Sequence, residues 1–353
     1  MIVFSSHLSI RQADPKKFLN DQAEKYWKSL NLKIGKSYGK SALISKVKEY
    51  RDLARNRDPI YLQNFANNNP AIAKEQEKFL SHLLAHNHSL LKQIVIAGPA
   101  DLHRLRSQFA VQFNADLFYL STAKGSKQSK FGKLLSDKIF DYKKYRSSKF
   151  CFDFLQEVTF GPIYCPYCGQ SEIKLVKVKI GAKNVSRKAL LDLDHFFSKV
   201  ENPYLAISLF NLIPCCGTCN SRFKGTKEFT LTTHIHPYVE SFDDYFIFSL
   251  EIDPTGTTYV SIKDKMPPGK TKSSTDFGLP RRYIDHPKLL QIKNDYNANP
   301  KYTDEDKIWF AKYMLKDVPK EAGHILLEFH GKAKRDILIE LDKHQKLLAK
   351  ELL

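Results

Sequence analysis

The sequence predicts an α+β protein: a helical amino-terminal region, a central cysteine-stapled module, and a carboxy-terminal region in which a β-hairpin precedes helices. Three observations predict it. Apolar residues recur at helical spacing through the first 150 positions. Two Cys-x-x-Cys turns bracket a segment that alternates with period two. A second alternating stretch, split by a turn, runs into further helical stripes. A chain of 353 residues exceeds what one core usually organises, so regions are drawn at 1–150, 151–235 and 236–353.

In the first region, Asp14-Pro15 is a helix start, with Asp as N-cap and Pro at the first helical position. Phe18, Leu19, Trp27 and Leu30 follow at helical spacing. Ala71 to Lys92 repeats the pattern through Ile72, Phe79, Leu80, Leu83, Leu84 and Leu91. His82 and His86 lie four apart there, but two imidazoles are too few for a metal and read as a solvated flank. From Lys124 to Lys149 nine Lys or Arg face only Asp137 and Asp141. Phe131, Leu134, Leu135, Ile139, Phe140, Tyr142 and Tyr145 interleave with them. This reads as an amphipathic helix whose basic face is either merely solvated or tracks a nucleic-acid backbone, with Lys138, Lys143, Lys144 and Arg146 as contacts.

In the central region, Ile173–Ile180 alternates, Gly181–Asn184 turns, and Ala189 to His195 begins apolar and ends in Asp194-His195. In the third region, Tyr245–Ile252 and Thr257–Ile262 flank Asp253-Pro-Thr-Gly256 as a hairpin, with Phe246, Phe248, Leu250 and Ile252 on one face. Thr303-Asp-Glu-Asp306 caps a helix bearing Trp309, Phe310 and Tyr313, and Ile337, Leu338, Leu341 and Leu348 stripe the last one. Lys265–Ser274 reads as a mobile loop or linker.

A formal charge of +18 makes a polyanion the first partner to test. No apolar run approaches the length of a spanning helix, and the amino terminus lacks a signal-peptide core. A cytoplasmic protein without membrane attachment is expected. In a reducing compartment, six cysteines confined to Cys151–Cys219 indicate metal and not disulfides.

Cys165-Pro-Tyr-Cys168 and Cys216-Gly-Thr-Cys219 supply the four thiolates of a closed, tetrahedral structural Zn²⁺ site. Cys216 is preferred to Cys215 because it preserves the two-residue spacing, and Cys151 reads as core. Asp194 can bind a hard cation through oxygen, and His195 can act as a general base near neutral pH. Phosphodiester hydrolysis needs a water nucleophile, a base, and neutralisation of the leaving oxygen. His195 suits the base, Asp194 with Asn220 suits a Mg²⁺ or Mn²⁺ ion, and Arg222 and Lys224 suit a phosphate clamp. Asp192 reads as an outer ligand. His234 and His236 read as a turn-flanking pair, not as a second metal site.

The stretches CPYCG, DLDHFFSK, NLIPCCGTCN and RFKG, in that order, resemble the HNH endonucleases, or ββα-metal nucleases, of the zinc-stapled branch with two Cys-x-x-Cys knuckles. The likeness covers about sixty residues. It implies that His195 activates water, that Asp194 ligates the catalytic metal, and that Asn211 braces the loop holding the base. Asn220 stands where many members carry a final His that binds the metal. One extra residue separates Asn220 from Lys224 relative to the common pattern. The resemblance implies cleavage of double-stranded DNA and is compatible with a place in restriction or anti-phage defence beside an ATPase partner. An RNA-cleaving toxin-like nuclease and a non-catalytic zinc module that binds nucleic acid are the alternatives.

Overall fold

The computed structural model describes residues 4–123, 125–180, 184–265, 270–299, 301 and 303–348. It is a mixture of helices and small sheets, compatible with the expected α+β class. Helices α1 (Pro15–Leu30), α2 (Leu43–Arg55), α3 (Pro59–Phe65), α4 (Pro70–Ile96) and α5 (Pro99–Gln112) build the first part. Three of them start by one device: Asp14, Asp58 and Asn69 accept backbone N–H groups through their side chains, each followed by Pro. Phe79 of α4 sits among Phe109, Phe113, Phe118, Phe131 and Tyr204, with ring centroids 5.0–6.1 Å away. The amino-terminal core therefore reaches the central segment through Tyr204.

Two expectations here are corrected. The stripe from Ala71 to Lys92 is not one unbroken helix: the backbone leaves helical geometry at Ala85, and His86, Asn87 and His88 take φ of 48°, 53° and 65°. Asn and His enter the left-handed region more readily than other side chains, which is why the break falls there. His86 thus does not sit one helical turn above His82. The basic segment is also not one amphipathic helix. Ser129, Asp141 and Ser148 each cap a new start with a side-chain oxygen, giving Lys130–Leu134, α6 (Tyr142–Arg146) and α7 (Lys149–Thr159). Lys124 lies outside the described residues.

The central segment holds two antiparallel sheets. In the first, β1 (Ile163–Tyr164), β2 (Glu172–Ile180) and β3 (Asn184–Leu190) lie in chain order; the expected turn at 181–183 lies outside the described residues. In the second, β4 (Asp192–His195) pairs with β5 (Leu212–Cys215), placing Asp192 opposite Cys215, Asp194 opposite Ile213 and His195 opposite Leu212. Because side chains alternate across a strand, Asp192 and Asp194 share one face and His195 takes the other. A helical turn, Thr218–Lys224, follows β5 directly.

The expected hairpin is β6 (Phe246–Ile252) against β7 (Thr258–Asp264), turned at Asp253-Pro-Thr-Gly256, where Gly256 has φ of 85°. Phe246 and Phe248 are buried, Leu250 is partly buried, and Ile252 at the tip is exposed. Helices α8 (Leu279–Tyr283), α9 (Pro287–Ala298), α10 (Asp304–Met314) and α11 (Gly331–Asp342) follow. Thr303 and Asp306 form the expected capping box on α10, where Phe310 is buried while Trp309 and Tyr313 stack in solvent. Of the expected linker, 266–269 lie outside the described residues. Lys270 beside them is paired with Glu240 at 2.9 Å. One core cluster runs from Phe4 to Ile337, crossing both expected boundaries. No helix among the described residues is long and apolar enough to cross a membrane.

Candidate functional site

The two Cys-x-x-Cys turns come together although 47 residues separate them. Cys165, Cys168, Cys216 and Cys219 are buried, and their Sγ atoms all lie within 4.8 Å of one another. Cys168 Sγ and Cys216 Sγ are 4.0 Å apart. Zn–S bonds of about 2.3 Å in a tetrahedron place sulfurs about 3.8 Å apart, so the donor set fits one zinc ion. Gly169, at φ of 64°, closes the first turn by donating to the Cys165 carbonyl at 2.8 Å. The Cys216 N–H donates to Cys165 Sγ at 3.4 Å. Cys215 lies on β5 and Cys151 on α7, both buried outside the cluster. Distant residues complete the knuckle: Arg282 donates to Cys219 Sγ at 3.4 Å, and the Tyr283 hydroxyl donates to the Cys168 carbonyl at 2.6 Å. The guanidinium offsets part of the negative charge that four thiolates bring to a divalent ion.

His195 ends β4, and its Nε2 lies 2.9 Å from the Ala206 carbonyl. A carbonyl only accepts, so Nε2 carries the proton. Burial, reinforced by Lys199 and Lys224, pushes the imidazole pKa down to about 3, against the opposing pull of Ala206. The ring is therefore neutral at physiological pH and its lone pair is on Nδ1. The loop carrying Ala206 is fixed by Asn211. This fully buried side chain accepts from the Phe197 N–H at 2.8 Å and donates to the carbonyls of Phe197 and Leu205 at 3.1 and 3.3 Å. Replacing Asn211 with Ala is expected to cost at least about 1–3 kcal/mol for the orphaned Phe197 N–H, read from denaturant unfolding. It should also loosen the carbonyl that orients His195.

The other face of β4 meets the helical turn after the knuckle. Lys224 is only 3% exposed. Its Nζ donates to Asp194 Oδ1 at 2.6 Å, to the His195 carbonyl, and to the Phe196 carbonyl at 3.2 Å. The Tyr167 hydroxyl donates to Asp194 Oδ2 at 2.7 Å. Asn220 donates instead to Asp192 Oδ2 at 3.0 Å. The expected pair Asp194 and Asn220 thus has no shared partner, and Lys224 is not on a surface that phosphate could reach. The Thr218–Lys224 turn is wound as a π-helix, with the Gly225 N–H donating to the Asn220 carbonyl at 2.9 Å. A π-turn accommodates one residue more than an α-turn, which carries the extra residue between Asn220 and Lys224.

Tyr142 and Lys199 flank the imidazole. The Tyr142 ring packs 4.7 Å from that of His195, and Lys199 Nζ lies 4.9 Å over Tyr142. Burial lowers the Lys199 pKa and Lys143 adds to the effect, while Asp137 opposes it. Lys138, Lys143 and Lys144 are exposed, as is Arg222. Arg146, by contrast, spends its guanidinium on the Leu191 carbonyl at 2.8 Å, and Tyr142 donates to the Leu193 carbonyl at 3.3 Å. Helix α6 therefore covers the outer edge of β4.

No protein-family model, curated protein or solved structure matches the chain. The site stands on its own geometry. Sequence reasoning missed Tyr142 and Lys199 beside His195, Tyr167 on Asp194, and Arg282 on the knuckle. None carries a local signal, since each acts on a partner supplied by a separate segment. His234 and His236 do not form a metal site among the described residues: His234 stacks on Phe229 and pairs with Asp276 at 3.1 Å, and His236 is buried against Phe196.

Proposed function

We propose that the chain is a zinc-stapled HNH endonuclease that hydrolyses phosphodiester bonds of DNA. The observation that carries this reading is His195: a neutral imidazole at a strand end, its Nε2–H engaged by a braced carbonyl and its Nδ1 lone pair available to take a proton from water. The hairpin β4–β5 followed by a helical turn gives the ββα order, and the four-cysteine cluster suits a structural zinc at its base. A phosphodiester anion beside the ring raises the imidazole pKa from its buried value, since a nearby negative charge favours the protonated form. The base therefore gains strength when substrate arrives. Lys199 and Lys143 supply positive charge for phosphate oxygens.

Lys138, Lys143 and Lys144 extend that charge along a surface suited to a nucleic-acid backbone. Replacing Lys143 and Lys144 with Ala is expected to make log K against log[salt] shallower by between about one and two units, at about 0.9 per phosphate contact on duplex DNA. An unchanged slope places the path elsewhere. The reading itself is tested by offering zinc-loaded protein equal lengths of duplex DNA, single-stranded DNA and RNA with Mn²⁺. Cleavage of duplex DNA is expected. Cleavage of RNA alone favours the toxin-like alternative, and binding without cleavage of any substrate favours a non-catalytic zinc module.

A further inference from the structure

We infer that the groove between α1, α2 and α6 is a docking surface for an acidic amphipathic helix of a partner protein. The inference does not depend on the nuclease reading.

The groove has a volume of about 590 Å³ and mainly apolar walls. Four separate segments supply its floor: Tyr26 of α1, Leu43 of α2, Tyr145 of α6, and Ile207 from the loop before Asn211, all buried. The Tyr26 hydroxyl donates to the Ile207 carbonyl at 3.1 Å, and its ring lies 5.1 Å from that of Tyr145. The fold itself therefore fixes the floor. One wall is left uncovered. Between α1 and α2 the chain turns through the short paired strands Lys33–Ile34 and Ser37–Tyr38, with Gly35 at φ of 61°. This hairpin holds Leu32 68% and Ile34 78% exposed beside the floor. Aliphatic side chains left in water beside an apolar groove and rimmed by charge mark an interaction surface.

Charge selects the occupant. Residues 28–48 contain six lysines and no acid. Lys33, Lys36 and Lys40 of the hairpin and Lys144 of α6 are exposed and form no ion pair among the described residues. Lys46 and Asp141, also at the groove, serve the fold: Lys46 donates to the Lys138 carbonyl at 2.9 Å and lies 4.0 Å from Asp141, whose Oδ1 accepts the Lys144 N–H at 3.0 Å. The rim is therefore positive. A second copy of this chain would bring a net charge of +18 against it. Nucleic acid matches the charge, but unpaired bases gain by stacking on aromatic faces, and the exposed large apolar side chains here are Leu32 and Ile34. A helix with an apolar stripe and acidic flanks matches both features, its stripe entering the groove and its carboxylates meeting the lysines. Lys144 also belongs to the proposed DNA path, so occupant and DNA would compete there.

The test selects displayed random peptides of about sixteen residues, long enough for about four helical turns, on the full-length, zinc-loaded protein. Enriched sequences should carry net negative charge, with apolar residues at i, i+3, i+4 and i+7. Resynthesised, they should bind Leu32→Ser/Ile34→Ser about tenfold or more weakly than wild type. Lys33→Glu/Lys36→Glu should weaken them as well, most at low salt. All four side chains are exposed, so Tm should stay put in both variants. Enriched peptides without this pattern, no enrichment at all, or equal binding to the wild type and both variants overturns the inference. A single-stranded oligonucleotide forms the second arm. Its affinity should not change in Leu32→Ser/Ile34→Ser, and a loss as large as that of the peptides would make this face a nucleic-acid surface instead. Both arms read binding and not cleavage, so they decide the inference whether or not the chain cuts DNA.

Discussion

Cys165→Ser or Cys219→Ser is expected to abolish zinc binding and, with it, the cooperative fold around the site. Structural zinc contributes about 10–16 kcal/mol in zinc-finger peptides at neutral pH, as large as the whole net stability of a domain at about 5–15 kcal/mol. The consequence should spread, because β1 and β5 both run into the knuckle turns and the carboxy-terminal part leans on them through Arg282 and Tyr283. Elemental analysis should find one zinc per wild-type chain and none in the variants. The melting transition should be lost or lowered on the order of 10 °C or more. Cys215→Ala is the control, since Cys215 lies outside the cluster and its loss should leave zinc content intact. A zinc-free chain that melts like the wild type would remove the structural role of these four thiols.

The second large effect falls on chemistry and not on folding. His195→Ala should slow cleavage by about 10²–10⁴-fold, the usual cost of losing a general base, while zinc content and DNA affinity stay near wild type. Among the described residues the side chain has one hydrogen-bonded partner, the Ala206 carbonyl, and it lies at a half-buried strand end. Its removal thus leaves β4 and the Asn211 brace in place. Residual activity above about a tenth of the wild-type rate would take His195 out of that role. Loss of zinc on the same substitution would show a scaffold defect.

What the sequence made legible was whatever depends on short spacing. A two-residue gap is enough to turn two thiolates toward one ion, so the four cysteines could be named without coordinates, including Cys216 over Cys215. A strand ending in Asp194-His195 was legible because Ala189 to His195 begins apolar and ends in acid and imidazole, although the structure divides that run between β3, which ends at Leu190, and β4, which starts at Asp192. Asn211, which the HNH likeness casts as a brace, bonds the backbone of Phe197 and Leu205, and only the fold brings those groups to it. The burial of Lys224 was not legible, because lysine usually keeps its head in water and only the approach of Asp194 and two carbonyls makes this one internal. The extra residue before Lys224 looked like a departure from pattern, and a π-turn absorbs it. The basic segment misled in a similar way: its periodicity looked like one helix, but capping by Ser129, Asp141 and Ser148 cut it into pieces. One of those pieces, α6, closes the edge of β4. Tyr142 and Lys199 could not be joined to His195 by any count along the chain.

The central claim is that this zinc-stapled hairpin cleaves DNA with a divalent cation. It is tested most directly by incubating zinc-loaded wild-type protein with supercoiled plasmid, with Mg²⁺ or Mn²⁺ present and then withheld by a chelator mild enough to leave zinc bound. The account predicts nicked or linear product only with the added cation, from the wild type and not from His195→Ala. Intact plasmid under every condition, or cleavage that persists equally in His195→Ala, would contradict it.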